Sequence, residues 1–236
     1  QSIKAIMILS ITSVLISINW TGFILAISLN RVQDASMGYY MTPIISIILG
    51  YLFLKESMSK LKLFSIILML FSIIFLIASS KTIPYLALII GISWGFYGML
   101  RKQISITSEI GLLYESGFIT LISSPYLIYL YLMGGGYFIN ENNSISLLLI
   151  FTGLITIFPL FFFNLGVKFI PLGFAGVIFF LAPTFHFITS ILILNEDLSI
   201  NKLISFLIIW LAVIIFIVDL LKEEKKVNEN NIQLLS

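Results

Sequence analysis

The stretch Ser36–Glu56, SMGYYMTPIISIILGYLFLKE, decides the fold of this chain. It is an apolar run of about 20 residues, the length that an α-helix needs to cross a bilayer, with a proline near its middle. A second stretch, Gly176–Glu196, GVIFFLAPTFHFITSILILNE, aligns with it without a gap, so that Pro183 falls on Pro43. A repeat at this long spacing indicates two copies of one multi-helix unit.

Composition places the chain in a membrane. Hydrophobic residues make up 59% of its 236 residues and charged residues only 10%, whereas a soluble domain has about 25% charged residues. Lipid must therefore surround most of the chain, and nucleic acid is not an expected partner. There is no cysteine and a single histidine, His186, so we predict no catalytic residues, no metal site and no cofactor. A phosphate-binding loop of the form GxxxxGK[ST] is absent from the sequence, which excludes ATP as the direct driving force.

Eight apolar runs are long enough to span a bilayer, which predicts an all-α polytopic membrane protein. They lie at roughly 4–28, 34–54, 61–79, 83–100, 109–133, 144–168, 172–194 and 200–221. The repeat divides the chain into a partial first copy of three helices at 1–81 and a second copy of five helices at 82–221. The polar segment 222–236 is expected to be a frayed cytoplasmic tail.

Basic residues set the predicted orientation, because lysine and arginine concentrate in cytoplasmic loops. With the tail in the cytoplasm, ten of the 13 basic residues lie inside, and only Arg31, Lys81 and Lys202 lie outside. Both observed termini then face the cytoplasm. The link after the first repeat stretch is inside and the matching link is outside, so the copies run in opposite senses. Inverted repeats of this kind are typical of secondary transporters, whose substrate site lies between the repeats.

Several segments carry a family resemblance besides the two repeat stretches. They are Asn19–Trp20, SWGFYGMLRKQ at 93–103, Glu115, and FLIIWLAVIIFIVD at 206–219. Together these residues resemble the EamA branch of the drug/metabolite transporter (DMT) superfamily, and most closely its RarD-like permeases. The resemblance implies a five-plus-five inverted helix repeat in a bacterial inner (plasma) membrane, with a central cavity that opens by alternating access. Eight transmembrane helices are present here, and we expect the first two of the first repeat to lie upstream of Gln1.

The repeat stretches supply the first candidate pathway residues. Residues three or four positions apart share one helix face with each proline. A proline within a helix removes a backbone hydrogen bond and bends the helix. The functional interpretation is a pair of bent helices that line the pathway and act as gates, and the structural alternative is a pair of tolerated kinks. The two faces hold Ser36, Tyr40, Pro43, Ile47 and Gly50, and Gly176, Phe180, Pro183, Phe187 and Ser190.

Two ionisable residues lie inside predicted spans, where such groups are rare and often functional. His186 is a candidate proton carrier, because its charge can change near neutral pH; the alternative is a neutral histidine that donates one hydrogen bond to a neighbouring helix. Glu115 could bind a substrate amine or take part in proton coupling; the alternative is a structural partner for Arg101, Lys102 or a tyrosine hydroxyl. Asn19 and Asn164 can form hydrogen bonds across helices.

The full set of predicted pathway residues combines these ionisable groups with polar and aromatic side chains inside the spans. It comprises Asn19, Trp20, Tyr39, Tyr40, Pro43, Trp94, Tyr97, Glu115, Phe180, Pro183 and His186. The glutamates that end the two repeat stretches, Glu56 and Glu196, are interpreted as structural. Each precedes an N-cap serine, Ser59 or Ser199, and is expected to stabilise the start of the helix that follows.

These observations predict a secondary transporter, an exporter or permease, for a small organic metabolite or drug-like solute. An aromatic-rich cavity with few charges suits a neutral or zwitterionic, partly apolar substrate. Proton coupling and a homodimer are both compatible with this class. The alternatives are a membrane scaffold or interaction protein without transport activity, and a lipid-linked sugar flippase of the same superfamily. An enzyme is not expected, because no cluster of acids, histidines or nucleophiles lies at membrane depth.

Overall fold

The computed structural model describes residues 3–80, 83–134, 143–172, 174–175 and 181–235. Within these ranges the chain has eight helices with described bounds, further helical residues at 172 and 174–175, and no strand, which confirms the all-helical prediction. The helices are α1 (Ile3–Ser28), α2 (Val32–Leu54), α3 (Lys60–Ser80), α4 (Tyr85–Lys102), α5 (Ser108–Leu132), α6 (Asn143–Gly166), α7 (Leu181–Leu192) and α8 (Ile200–Leu235). Each lies within or overlaps one of the eight apolar runs.

Five of the described helices are long and apolar enough to cross a membrane: α1, α2, α3, α6 and α8. In α7, residues Ala182–Leu192 form a shorter apolar helix. The remaining two predicted spans are helical but less apolar. Arg101 and Lys102 close α4, and α5 contains Glu109 and Glu115 among several serines and tyrosines. These polar side chains lower the mean hydropathy of both helices.

The end of the last helix differs from the prediction. We expected the polar segment after Leu221 to fray, whereas the backbone of α8 continues to Leu235. Residues 222–235 contain no glycine or proline, so nothing in their sequence stops a helix that is already formed.

The chain forms two compact units. Unit 1 comprises Gln1–Ser17 and Tyr97–Ile170, and unit 2 comprises Ile18–Phe96 and Pro171–Ser236. The boundary falls within α1 and within α4, so each of these helices contributes residues to both units.

A hydrophobic core of buried side chains from α2, α3, α7 and α8 holds unit 2 together. Met69 of α3 and Ile209 and Phe216 of α8 are nearly inaccessible to solvent. Between α3 and α8, the Ser72 hydroxyl donates a hydrogen bond of 2.8 Å to the backbone oxygen of Ser205. Such bonds tie together helices whose apolar surfaces would pack equally well against lipid.

Glycines allow α2 and α4 to approach closely. A Cβ atom on Gly38 would lie 2.7 Å from the backbone oxygen of Ala87, and one on Gly91 would lie 2.8 Å from the backbone oxygen of Gly38. Both distances are too short for any larger residue. Gly38 of α2 and Gly91 of α4 therefore serve helix packing, as small residues do at membrane helix contacts.

Candidate functional site

Unit 1 contains a buried polar network around Glu115 of α5. The Glu115 side chain is only 2% exposed. Its Oε1 accepts a hydrogen bond of 2.6 Å from the Thr12 hydroxyl of α1, and its Oε2 accepts one of 3.1 Å from the Tyr97 hydroxyl of α4. The carboxylate thereby joins three helices.

Arg101 supplies the positive charge in this network. Its side chain is 0% exposed, and its Nε lies 3.8 Å from Oε1 of Glu115 and donates to Oδ1 of Asn164 at 3.2 Å. Asn164 of α6 donates through Nδ2 to the Tyr97 hydroxyl at 2.7 Å. The four side chains form a closed ring of polar contacts, which we call the α4–α5–α6 ring. A buried charge pair needs such additional hydrogen bonds to offset desolvation.

This geometry matches the structural alternative for Glu115, since Arg101 and a tyrosine hydroxyl are its partners. Tyr97 was a predicted pathway residue, but Arg101, Asn164 and Thr12 were not in that set. Tyr97 and Arg101 lie four residues apart on one helix face, so their position on the same side of α4 could have been found from spacing. Nothing in the sequence distinguishes Thr12 from the other hydroxyl residues of α1, because its contact with Glu115 depends on tertiary packing.

In unit 2, Asn19 links three helices. Its Nδ2 donates to the backbone oxygen of Ile90 at 2.8 Å and to the Ser93 hydroxyl at 3.1 Å. Its Oδ1 accepts a hydrogen bond of 3.2 Å from the Tyr39 hydroxyl. Asn19 is 0% exposed. Its predicted hydrogen bonding across helices is therefore present, and it joins α1 to α2 and α4.

The two proline-bearing helices contact each other directly. The Ser36 hydroxyl of α2 donates to the backbone oxygen of Pro183 in α7 at 2.8 Å. The hydroxyls of Tyr40 and Thr184 lie 2.8 Å apart, and Trp210 of α8 donates through Nε1 to the Tyr40 hydroxyl at 2.8 Å. The stripe around the prolines therefore forms a hydrogen-bonded contact between α2 and α7, and its role in a pathway stays a prediction.

Helix α2 runs without interruption through Pro43, which is buried. Pro183 is the third residue of the described part of α7, which begins at Leu181. Both prolines are buried. Phe180 and Gly176, the predicted counterparts of Tyr40 and Ser36, lie outside the described residues.

His186 lies in an aromatic environment. Its ring centroid is 5.1 Å from that of Phe23 and 5.7 Å from that of Tyr39. Its Nδ1 atom is buried and has no hydrogen-bond partner among the described residues. Trp94 is buried at 8% exposure, and Trp20 is half-buried.

The glutamates after the two repeat stretches make equivalent contacts. Glu196 accepts hydrogen bonds from the backbone nitrogens of Val32, at 2.7 Å, and Gln33, at 3.1 Å. Glu56 accepts one of 2.8 Å from the backbone nitrogen of Leu172. The alignment that places Glu196 on Glu56 also places Leu172 on Val32. The two glutamates therefore bind residues that align with each other, and we call the two contacts the reciprocal caps.

The reciprocal caps correct one prediction and confirm another. We expected each glutamate to stabilise the helix that directly follows it, but Glu196 caps the distant N-terminus of α2 instead. The predicted N-cap serines are present: Ser59 accepts a hydrogen bond of 3.0 Å from the backbone nitrogen of Lys62, and Ser199 accepts one of 3.3 Å from that of Lys202. Asp219 accepts a hydrogen bond of 2.5 Å from the Ser59 hydroxyl.

The turns that carry the glutamates also match. Lys55 and Asn195, the residues just before them, both have left-handed backbone conformations, with φ values of 57° and 52°. The backbone nitrogens of the glutamates donate to Gly50 and Ser190, at 3.0 and 2.9 Å. A helix commonly ends in such a left-handed residue, whose bonds satisfy the last carbonyl groups. The C-terminal ends of α2 and α7 therefore have the same local geometry.

A polar recess lies beside the cap at Glu196. It is a cavity of about 200 Å³ whose charged lining residues are Arg31, Asp34, Glu196 and Lys202. Arg31 forms an ion pair of 2.5 Å with Asp34. Among the described residues, no group of three or more histidine, aspartate or glutamate side chains is arranged to hold a metal ion.

Comparison with known proteins identifies the family. The sequence profile of the EamA-like transporter family matches residues 1–78 and 82–218. The chain is 35% identical to the uncharacterized transporter YojE of Bacillus subtilis over 212 residues, which cover 89% of this chain and 70% of that protein. It is 33% identical to an uncharacterized transporter of Vibrio cholerae, covering 91% and 71% of the two chains.

A further relative has the name that the sequence resemblance suggested. The chain is 28% identical to protein RarD of Escherichia coli, over 97% of this chain and 77% of that protein. The profile match over nearly the whole chain and these three similarities agree with the membrane-spanning helices of the structure. The chain is a multi-pass membrane protein that belongs to the EamA-like transporter family.

Proposed function

We propose that this protein is a secondary transporter that moves a small organic metabolite or drug-like solute across the bacterial inner membrane by alternating access. The proposed direction is export. Both observed termini are placed in the cytoplasm, on the basis of the lysine and arginine distribution. Family membership supports the transport activity, and the internal repeat supports the mechanism.

The reciprocal caps are the observation that carries this proposal. In an inverted repeat the two copies are related by a two-fold axis, so a contact from one copy to the other is expected to occur twice. Glu56 with Leu172 and Glu196 with Val32 form such a pair. In the proposed orientation one cap lies at each face of the membrane. Each cap can then open while the other stays closed, which is the requirement for alternating access.

In the proposed mechanism, α2 and α7 move apart at the contact between them. Ser36 and Tyr40 are fully buried where α2 meets α7. Separation of the two helices would expose these residues together with the neighbouring aromatic cluster of Tyr39 and His186. The predicted pathway residues that belong to unit 2 therefore stay proposed pathway residues. They are Asn19, Trp20, Tyr39, Tyr40, Pro43, Trp94, Phe180, Pro183 and His186. Proton coupling and a homodimer stay predictions.

Reconstitution of the protein into proteoliposomes tests the transport activity. Counterflow of radiolabelled amino acids, nucleobases and chloramphenicol is measured with and without a pH gradient. Saturable counterflow of at least one solute is expected. If the full-length protein moves none of these solutes under either condition, the proposal loses its main support.

Cysteine labelling tests the mechanism, because the chain has no native cysteine. A Ser36→Cys variant is labelled in cells with a membrane-impermeant maleimide. We expect slow labelling that Glu196→Gln accelerates, since loss of the outer cap favours opening on that side. Glu56→Gln is expected to have the opposite effect. Equal labelling in all three backgrounds would contradict the role of the caps.

A further inference from the structure

The tip of the Arg101 side chain has unused hydrogen-bonding capacity at a fully buried position. Its Nε is engaged by Asn164 and lies near Glu115. Its two terminal nitrogens, Nη1 and Nη2, are buried and have no hydrogen-bond partner among the described residues. These nitrogens carry four N–H donors. A buried donor without a partner has lost its hydrogen bonds to water without replacement, so this tip is suited to receive an acceptor.

A second buried donor lies on the helix face that receives the Arg101 tip. The buried residues of α5 are Ser108, Gly111 and Glu115, whose spacing places them on one face. The guanidinium rests against Gly111, because a Cβ atom there would collide with both terminal nitrogens. The Ser108 hydroxyl, one turn before Gly111, is also buried without a hydrogen-bond partner in the described part of the chain.

The charges and geometry favour one class of ligand. The planar fork of an arginine matches the two oxygens of a carboxylate. Glu115 cannot readily turn to fill this role, because Thr12 and Tyr97 hold its two oxygens. Glu115 already balances part of the positive charge of Arg101, so a singly charged carboxylate fits better than a doubly charged phosphate. A hydroxyl such as that of Ser108 adds one donor to the carboxylate.

We propose that Arg101 and Ser108 form a binding site for the carboxylate group of a small organic acid. Arg101 supplies two parallel hydrogen bonds and Ser108 supplies a third. The glycine at position 111 leaves room for the guanidinium on this face. This inference rests on the proposed transport function and names the chemical class of its substrate.

Binding by the purified protein tests the site directly. Isothermal titration of the full chain in detergent uses benzoate as the probe, benzamide as its uncharged match, and inorganic phosphate as a second anion. Saturable binding is expected for benzoate, with benzamide and phosphate at least 10-fold weaker. Equal binding of benzoate and benzamide would overturn the proposal, and so would preferential binding of phosphate.

Variants distinguish the paired hydrogen bonds of the Arg101 guanidinium from its positive charge. Arg101→Lys keeps the charge but loses the paired hydrogen bonds, and we expect benzoate binding to weaken about 10-fold or more. Ser108→Ala removes one hydrogen bond and is expected to weaken binding about 5-fold. Lys102→Gln is the control, because it removes the neighbouring positive charge while Arg101 stays in place, and it should bind benzoate normally.

The outcome for Arg101→Gln depends on whether this variant folds. If it folds, it should bind no benzoate; undiminished binding would contradict the site. If it does not fold, Arg101→Lys and Ser108→Ala decide the question, and wild-type affinity in both would also contradict it.

Counterflow distinguishes failure of the site from failure of the proposed function. If proteoliposomes exchange neutral solutes but benzoate neither binds nor competes, the carboxylate site is wrong and the transport function stands. If benzoate binds in an Arg101-dependent manner but no solute crosses the membrane, the site stands and the proposed transport function is wrong.

Discussion

Oε1 of Glu196 lies 2.7 Å from the backbone nitrogen of Val32, although 164 positions separate the two residues in the chain. Val32 is the first residue of α2, where free N–H groups and the positive end of the helix dipole favour a carboxylate. The equivalent contact between Glu56 and Leu172 is 2.8 Å long. The two glutamates that align in the sequence therefore make equivalent contacts in the structure.

Removal of this cap should destabilise the protein. We expect Glu196→Ala to lower the free energy of unfolding by about 1 kcal/mol, as for the loss of a helix N-cap. Unfolding in mixed micelles with increasing dodecyl sulfate measures the change. Asp197→Asn is the matched control, because it removes a charge from the neighbouring exposed residue. A similar loss in both variants would show that net charge, rather than the cap, is responsible.

Gly111→Ala should disturb the buried arginine. The added methyl group collides with the tip of Arg101, which is fully buried and tied to Asn164 through Nε. We expect a loss of about 1–3 kcal/mol, as for other overpacked cores. Gly117→Ala in the same helix is the control, since a Cβ atom there meets nothing within 4 Å. That variant should be neutral or more stable, because alanine favours helices by about 1 kcal/mol over glycine.

Tyr97→Phe should weaken the α4–α5–α6 ring. The hydroxyl both donates to Glu115 and accepts from Asn164, so its removal leaves two buried polar groups without one of their partners. We expect a loss of about 1–3 kcal/mol, measured by the same unfolding titration. Tyr126→Phe tests the effect of losing an exposed hydroxyl from α5, and it should change stability little. Equal stability of both variants and the wild type would contradict the ring.

His186→Phe should preserve or increase stability. The ring contacts with Phe23 and Tyr39 remain, and a buried nitrogen without a described hydrogen-bond partner is removed. His186→Ala should lose stability, because the aromatic contacts disappear. Thermal unfolding of the two variants distinguishes these effects. A large loss in His186→Phe would show that an imidazole nitrogen has an essential partner.

The role of His186 as a proton carrier has its own test. If the residue is structural, counterflow by His186→Gln should depend on pH between 5 and 8 in the same way as counterflow by the wild type. A flattened pH profile in the variant would support the proton-carrier interpretation instead. The unfolding titration confirms beforehand that the variant is folded.

The fold was largely predictable because membrane helices are encoded locally. A continuous apolar run can satisfy its backbone only as a helix in lipid, so hydropathy predicted the described helices, five of which are long and apolar enough to cross a membrane. The boundary that failed lies at the end of α8, where the sequence becomes polar but keeps residues that support a helix. Hydropathy predicts where a helix leaves the lipid, and α8 continues beyond that point.

The candidate site was only partly predictable. Glu115 and Tyr97 were recognisable as polar groups inside apolar helices, but their partners Thr12 and Asn164 lie 103 and 67 positions away in the chain. A single sequence does not show which hydroxyl or amide side chain forms a hydrogen bond with which carboxylate. Likewise, the stripe around Pro43 and Pro183 was visible as a helix face, whereas its contact through Ser36 was not.

By itself, the sequence determined the all-helical membrane class and the resemblance to the EamA family, because these follow from composition, run length and aligned residues. The internal repeat stays a prediction. Only the tertiary structure decided that Glu56 binds Leu172 and Glu196 binds Val32, and that Arg101 joins the ring around Glu115. Such contacts depend on how helices pack in three dimensions. A helix face with several polar residues offers many pairings, and packing geometry selects one of them.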